Sequence, residues 1–539
     1  MTMKKQKIVI VGAGMAGLTA AAYLLKDGCD VLLLDKNDRC GGLLSTFNSN
    51  GFYFDSGPRA FVNSGIVKPI LKDLGMEWEF LENKISIGVA DQMLRFDSMD
   101  RIQDYQRMLT GLFPQNAQEI EKITAISSEL SEYTRVLYEF DNPNFSDQMN
   151  DRKFIFRKLI PWTFKFLHAL RKFEQFNIPM EAFIRRYTAN ASLSDVLLQH
   201  FFKHTPAYFA LGYYYVYLDY FYPKGGTGVL ADLLKNKVLE GGGEIRLNTR
   251  IAAVNPAEKT VTDADGQRYA YDDLIWAADL KTLYRSLNPA GLDAKVSAQI
   301  DTKTRQTLAA KGAESVFILF LAVNRPPEYF RARGGEHLFF TPSTQGLGET
   351  NQAERQKLLE AFEHTSKAEI LDWAARFCEL NTFEVSVPAL RDPALAPEGQ
   401  TGLMISFLTD YALIEKINAA GWYDEFKTAL EERVVRIFSQ TLYPGLAEDL
   451  LFKFSATPLT ICQVAGSSEG AITGWSFETD VPVVNKLKDI PKSVLTPIPG
   501  VYQAGQWAYS PAGVPIAMLT GWYASQRILK DARKAGLIR

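Results

Sequence analysis

Residues 5–35 read KQKIVIVGAGMAGLTAAAYLLKDGCDVLLLD. A short apolar strand runs into Gly12-x-Gly14-x-x-Gly17, an Ala/Leu-rich helix follows, and a second strand, Val31 to Leu34, ends in Asp35. Each part suits a bound dinucleotide. Gly12 permits a tight turn, Gly14 lets a pyrophosphate approach bare backbone, and Gly17 lets the helix pack closely on the sheet. The helix start, with Met15 and Ala16 in its first turn, offers free N–H groups and a positive dipole end to phosphates. Asp35, followed by Lys36, lies 23 residues after Gly12, where an acid can bind a ribose hydroxyl. A rival reading starts from Ile8 to Leu25, uncharged for 18 residues behind Lys4, Lys5 and Lys7. That pattern mimics a signal peptide or a membrane span. Three glycines at fixed spacing and the direct run into a second strand favour the nucleotide reading.

Composition narrows the class. A chain of 539 residues is long enough for two or more domains sharing large cores. Its 47% hydrophobic and 22% charged residues place it among folded globular proteins. A formal net charge of -3 gives no sign of a nucleic-acid partner. Four cysteines without a CxxC suit a reducing compartment and argue against a disulfide framework or a zinc knuckle. The expected location is cytoplasmic, or peripheral on a membrane face without crossing it.

Three further blocks carry glycine patterns. The first is Arg39-Cys40-Gly41-Gly42-Leu43-Leu44-Ser45-Thr46-Phe47 with Gly51 to Pro58 and Arg59. A second glycine pair lets another loop close over the pyrophosphate, a device of large FAD enzymes more than of nicotinamide enzymes. The next is Tyr222 to Gly228, then a helix, Gly241-Gly242-Gly243, and strands turning at Asp265-Gly266. The last is Gly500 to Trp507, Ser510 to Pro515 and a terminal helix. Gly241 to Gly243 follow a helix and lead into a strand, so they read as a turn and not as a second phosphate cradle. The blocks alternate with stretches lacking nucleotide signals. Residues 1–104, 222–295 and 491–539 are expected to build the nucleotide domain, 105–221 a helical, aromatic insertion, and 296–490 a substrate domain.

In order and spacing, GAGMAGLTAA, GGLLSTFNSNGFYFDSGP, YPKGGTGVL, SVPALRDPALAPEGQ, ATPLTICQVAGSSEGAITGW and GVYQAGQWAYSPAGVPIAMLTG resemble the phytoene desaturase-like flavoproteins. The branch is the one containing carotenoid isomerases and retinol saturases. The resemblance implies an α/β fold: a Rossmann-like FAD-binding domain of glutathione-reductase type, with a single dinucleotide site and an inserted mixed α+β substrate domain. It also implies non-covalent FAD, a polyene or isoprenoid lipid substrate, and desaturation, saturation or cis–trans isomerisation at the flavin. Carried over by motif, Gly12, Gly14 and Gly17 fall at the pyrophosphate and Asp35 at the adenosine ribose. Gly41 and Gly42 fall beside the pyrophosphate, with Leu43, Leu44, Gly57, Pro58 and Arg59 in the same cofactor-binding block. Val254 falls at the adenine, Gly505 and Gln506 in the terminal flavin motif, and Gly513, Val514, Pro515 and Ile516 against the isoalloxazine. Leu43 stands where amine-oxidase relatives have arginine, Ala512 where a glycine is expected, and Thr473 where an aromatic is expected.

With one fingerprint, electrons must enter or leave through an external donor or acceptor. The cofactor carries the redox chemistry, so no catalytic triad is needed and none is visible. Glu469 and Tyr509, in or beside the motifs, are the candidate catalytic residues, each equally readable as structural. His200 and His204 are four apart, a spacing seen in metal pairs, but lack a third ligand, so no metal is expected. The tyrosines between Pro206 and Pro223 read either as a flat wall for a conjugated ligand or as a packed core helix. From Asp151 to Arg186, nine basic residues against three acidic ones interleave with aromatics, a pattern suited to an anionic membrane surface or to a solvated helix face. Two other functions use the same scaffold: an amine or other small-molecule flavin oxidase, and a non-catalytic prenyl-lipid carrier of the GDP-dissociation-inhibitor type.

Overall fold

The structure is a computed structural model that describes residues 5–145, 151–350 and 352–534; Lys4 lies outside them. The chain opens with strand β1 (Lys7–Val11), helix α1 (Met15–Lys26) and β2 (Asp30–Leu34), then forms β3 (Ile85–Val89) and β4 (Gln92–Phe96). A helical excursion follows, including α2 (Ala117–Tyr138), α3 (Ile160–Gln175) and α4 (Ala207–Val216). The chain returns through β5 (Glu244–Arg246) and β6 (Asp273–Trp276), and then lays down β7 (Ser315–Val323), β8 (His337–Thr341), β9 (Phe383–Ser386), β10 (Thr401–Thr409) and β11 (Leu450–Ala456). It finishes with β12 (Val501–Gln503) and α5 (Val514–Lys534).

Two sheets organise these strands. The first is parallel, in the order β5-β2-β1-β6-β12. The alternation of side chains along β1 divides its two faces. Ile8 and Ile10 join the core that contains α1 and α5. Val9 and Val11 join a core with the small antiparallel sheet spanning residues 251–270. Both faces are covered, which is why β1 and β2 read as unbroken apolar runs. The apolar stretch from Ile8 to Leu25 is therefore a buried strand, a turn and a buried helix.

The second sheet has seven strands in the order β11-β7-β10-β9-β8-β3-β4, antiparallel except for β8 against β3. All nine residues of β7 are buried. Phe317, Leu319 and Leu321 pack against helices, and Val316 and Ile318 face the other way. Here the structure departs from the sequence expectation: β3 and β4, residues 85–96, belong to this large sheet and not to the nucleotide-binding segment ending at residue 104.

Other local expectations fare differently. Gly266 turns the chain between paired strands at Thr260–Asp263 and Arg268–Ala270. His200 and His204 are not on a helix; both lie in the turn after residues 191–198, and His204 has a φ of 57°. His200 sits against Phe201 and Phe339, and burial pushes its pKa down to about 4. No group of three or more potential metal ligands exists among the described residues. Tyr214 of α4 and Tyr217 just after it are buried in the core against Phe96, Tyr105 and one another.

Candidate functional site

A cleft of about 1140 Å³ opens at the carboxyl ends of the parallel strands, between that sheet and one face of the large sheet. This is where open α/β sheets bind ligands. The strand ends are locked together: Gly12 N–H donates to Leu34 O and Ala277 N–H to Val11 O, both at 2.8 Å. Gly12 has a φ of +107°, and a Cβ there would lie 2.6 Å from the Ala277 carbonyl oxygen. A Cβ on Gly14 would instead project into the cleft, with Gly41 O its nearest neighbour at 4.0 Å. Gly41 closes the second loop over the first by donating to Ala13 O at 2.8 Å, which leaves Gly42 beside Gly14. Among the described residues, no side chain caps the N-terminus of α1. The result is a stretch of bare backbone with unpaired helix N–H groups, which is what a diphosphate requires.

Asp35 sits at the far end, with its carboxylate accepting from Ala13 N at 2.6 Å and Asn37 N at 2.8 Å. Burial raises its pKa against the pull of those two bonds. Each oxygen keeps a lone pair for a ribose hydroxyl. Lys36 spans the cleft and donates to Gln463 O at 2.8 Å. These features fit FAD: bare backbone for the diphosphate, an acid for the ribose, and room beyond for a ring system.

The remaining sequence-assigned residues divide. Met15, Ala16, Gly41, Gly42, Leu43 and Leu44 line the cleft, as do Gly57, Pro58, Arg59, Gly505, Gln506, Gly513 and Val514. Gly17 lies behind it, where a Cβ would come 1.9 Å from Gly12 O, so its part is close packing. Val254 is a correction. It is fully buried, pairs with Val261, and accepts from Asn288 N, so neither its side chain nor its carbonyl is available to an adenine. Thr249, Arg250 and Ile251 line the cleft there instead. Pro515 and Ile516 are a second correction: helical periodicity turns Val514 and Ala517 toward the cleft and these two away.

The catalytic candidates also change. Glu469 lines the cleft, but its carboxylate is bound to buried Lys281 and accepts from Gly312 N at 2.9 Å. It reads as a clasp between chain segments. Tyr509 is 1% exposed and packs in the α1/α5 core, away from the cleft lining. Burial pushes its hydroxyl upward in pKa, and that oxygen has no hydrogen-bond partner among the described residues. The GFYFDSGP and YPKGGTG blocks serve each other through buried Asp55. Its Oδ1 accepts from Thr46 Oγ1 and from Thr227 N and Oγ1, and its Oδ2 from the Tyr222 hydroxyl.

Glu384 on β9 and Ser406 on β10 also reach the cleft, as do Val316 and Ile318 on β7. These positions escaped the sequence reading, although a lone glutamate within the apolar run Phe383-Glu384-Val385 is itself a signal. A carboxylate rarely sits inside a buried strand without a partner or a purpose.

Fold and cleft together define a protein that holds one dinucleotide under a broad sheet. A family model described as flavin containing amine oxidoreductase matches residues 15–529. Similar curated proteins include a phytoene desaturase from Fusarium fujikuroi, 23% identical, with 98% of this chain and 90% of that one covered. A 4,4'-diapolycopene oxygenase from Methylomonas sp is also 23% identical, with 98% of each chain covered. Among solved structures, an oxidoreductase from Methanosarcina mazei aligns with a TM-score of 0.60 at 14% identity, covering 97% of this chain and 100% of that one. Putrescine oxidase bound to putrescine aligns at 0.58 and 14%, covering 98% and 99%. The chain belongs to the flavin-containing amine oxidoreductase family. It is an FAD-dependent oxidoreductase of α/β fold.

Proposed function

We propose that this oxidoreductase acts on a carotenoid-like polyene, by desaturation, saturation or cis–trans isomerisation. The observation that carries the reading is the surface facing the nucleotide end of the cleft. There Val316 and Ile318 on the large sheet, with Leu43, Leu44 and Ile461, line one continuous space with the flavin-binding backbone. Apolar walls of this kind suit a long hydrocarbon. The carotenoid-directed names of the similar curated proteins support the same substrate class. Bound FAD supplies two-electron acceptance and donation. The protein's share is to hold the ligand flat and to exclude water. One dinucleotide fingerprint implies an external electron acceptor or donor. Anaerobic incubation with lycopene-type, retinoid and unsaturated fatty acyl compounds tests the proposal. The oxidised flavin should bleach with a polyene, or the pre-reduced flavin regain its colour with one, with a change in double-bond number; isomerisation should change double-bond geometry alone. Bleaching with simple amines alone, and with no polyene, would refute it.

Peripheral attachment to an anionic membrane is part of the same proposal, because such a substrate partitions into bilayers. No helix among the described residues is long and apolar enough to cross a membrane. Helix α3 and the π-helical turn before it (Ile155–Leu159) are apolar on two sides. Inward, Ala169 and Phe173 are buried and Trp162 Nε1 donates to Val136 O on α2 at 2.7 Å. Outward, Phe156 is 68% exposed, Ile160 40%, Phe164 70% and Leu167 47%. Their spacing puts them on one stripe, and the run from Arg152 to Phe173 contains seven Lys or Arg and no acid. Each basic residue near an anionic surface is worth about 1 kcal/mol. Replacing Lys158, Lys165, Arg171 and Lys172 with glutamate is therefore expected to weaken flotation with phosphatidylserine liposomes by more than tenfold. Unchanged flotation would show that this face binds no lipid.

A further inference from the structure

The cleft contains one polar station away from its nucleotide end. Among the described residues lining it, most acids are already committed. Asp410 pairs with Arg355, Glu314 with Lys203, and Glu469 with Lys281. Asp279 caps the helix at Leu280–Ser286, and Asp35 is held by backbone at the nucleotide end. Glu415 meets the Tyr411 hydroxyl at an exposed position. Glu384 differs. It stands in the middle of the large sheet, directly opposite Ser406 on β10, and Ser406 in turn opposes Ile318 on β7. Its side chain is 33% open, on the cleft side.

A chain of hydrogen bonds sets its state. Arg391 Nη1 can only donate, so the Asn83 oxygen faces it. The Asn83 Nδ2 then faces His337 Nδ1 at 3.1 Å, which makes Nδ1 an acceptor. The proton of neutral His337 therefore lies on Nε2, 2.9 Å from Glu384 Oε1. Arg391 also donates to Ser386 Oγ and to the Arg59 carbonyl oxygen. With Oε1 engaged by His337, Oε2 has the Ser406 hydroxyl at 3.3 Å. His337 is 1% exposed, so it cannot reach the ligand itself.

We propose that Glu384 is the residue that carries the proton when a ligand C–H bond is broken or made in the cleft, with His337 as its positioning residue. The proposal rests on the polyene reading. In desaturation, C–H bonds on two neighbouring carbons break. One hydrogen leaves with its electron pair to the flavin, the two-electron oxidant. The other leaves as a proton to Glu384 Oε2, and its bonding pair becomes the second bond of the new alkene. Saturation returns both by the same route, with the reduced flavin as hydride donor.

The surroundings give the role a pH signature. His337, Arg59, Arg391, the Ser406 hydroxyl and the tyrosines Tyr213, Tyr217 and Tyr220 face Glu384 from the neighbouring elements. Burial pushes the Glu384 carboxyl up, but the hydrogen bonds from His337 and Ser406, with the charge of Arg59, outweigh it and hold the carboxyl below its usual range. Burial also pushes His337 down, against the pull of Glu384, so it stays neutral. A base with a depressed pKa is ionised throughout the neutral range, so wild-type desaturation rates should be flat from about pH 6 upward. Removing the His337 bond lets burial dominate. The carboxyl then protonates at higher pH, and the acid limb moves up with it.

The test uses the FAD-loaded full chain, with flavin content and melting temperature as folding controls. Glu384→Gln keeps an acceptor for His337. With the polyene that bleaches the wild-type flavin, its anaerobic bleaching rate should fall at least about 100-fold, with polyene affinity within about threefold. His337→Asn should slow bleaching mainly below neutral pH and recover above it; a merely structural role would slow it equally at every pH. A readout without turnover is competition by dodecylammonium against dodecanol. The wild type should favour the ammonium, and Glu384→Gln should not. Bleaching by Glu384→Gln within threefold of wild type, or an ammonium preference that survives the substitution, would overturn the assignment while leaving the polyene reading intact. A wild-type protein whose flavin neither bleaches nor regains its colour with any polyene, and which changes no double bond, would bring down that reading, and this role with it.

Discussion

A Gly14→Val protein is expected to fold normally and to purify almost without yellow colour. Gly14 has a φ of −77° and a ψ of −178°, ordinary extended backbone that valine adopts without strain. Its Cβ would touch no protein atom closer than 4.0 Å. The first atom of the added side chain therefore meets only the space proposed for the diphosphate. An overpacked contact costs about 1–3 kcal/mol, which at the upper end is roughly a hundredfold in Kd. Flavin fluorescence retained after gel filtration, alongside the melting temperature of the apoprotein, measures the two halves of the expectation separately. A fully loaded variant would show that the pyrophosphate lies elsewhere.

Gly521→Ala is expected to do the reverse and damage the scaffold. Gly521 lies within α5, where alanine is intrinsically favoured by about 1 kcal/mol. Packing opposes that preference. The new Cβ would lie 2.2 Å from the Ala16 carbonyl oxygen and 3.0 Å from its carbon, so two helix backbones would have to separate. Backbone cannot yield as a flexible side-chain end can. A cost of about 3 kcal/mol or more outweighs the propensity gain and leaves a net loss of roughly 2 kcal/mol. Because Ala16 also lines the cleft, flavin affinity should fall together with stability. A lowered urea midpoint checks the first effect and cofactor titration the second. A raised midpoint would mean that α1 and α5 are not packed backbone to backbone.

The nucleotide end was legible in the sequence because its determinants are local. Gly12, Gly14, Gly17 and Asp35 lie within one strand–helix–strand unit, and their spacing is set by that unit's own geometry. Gly505, Gln506 and Val514 could likewise be placed by motif. Val254 could not, because the relevant strand has a bulge and the face open to the cleft belongs to Ile251, three residues earlier. The bulge lets Ile251 and Val254, three residues apart, pack in the same core, so simple strand alternation does not place them. Tyr509 and Glu469 stood close to flavin motifs in the chain, but nearness in sequence did not reveal that one lies in the core and the other is bound to Lys281. Glu384 and His337 are 47 residues apart. Their contact depends on the pairing of β8 with β9, a non-local register that no single-chain pattern declares.

The parallel sheet draws its strands from residues 7–34, 244–276 and 501–503. On a ribosome, four of its five strands would wait, incomplete, until the closing strand had been synthesised. Cofactor capture must then be a late event in biogenesis, after roughly five hundred residues have emerged and many distant pairings have formed. Cells short of riboflavin would be expected to accumulate a nearly finished polypeptide with an open seam, which is the form that quality-control proteases would meet first.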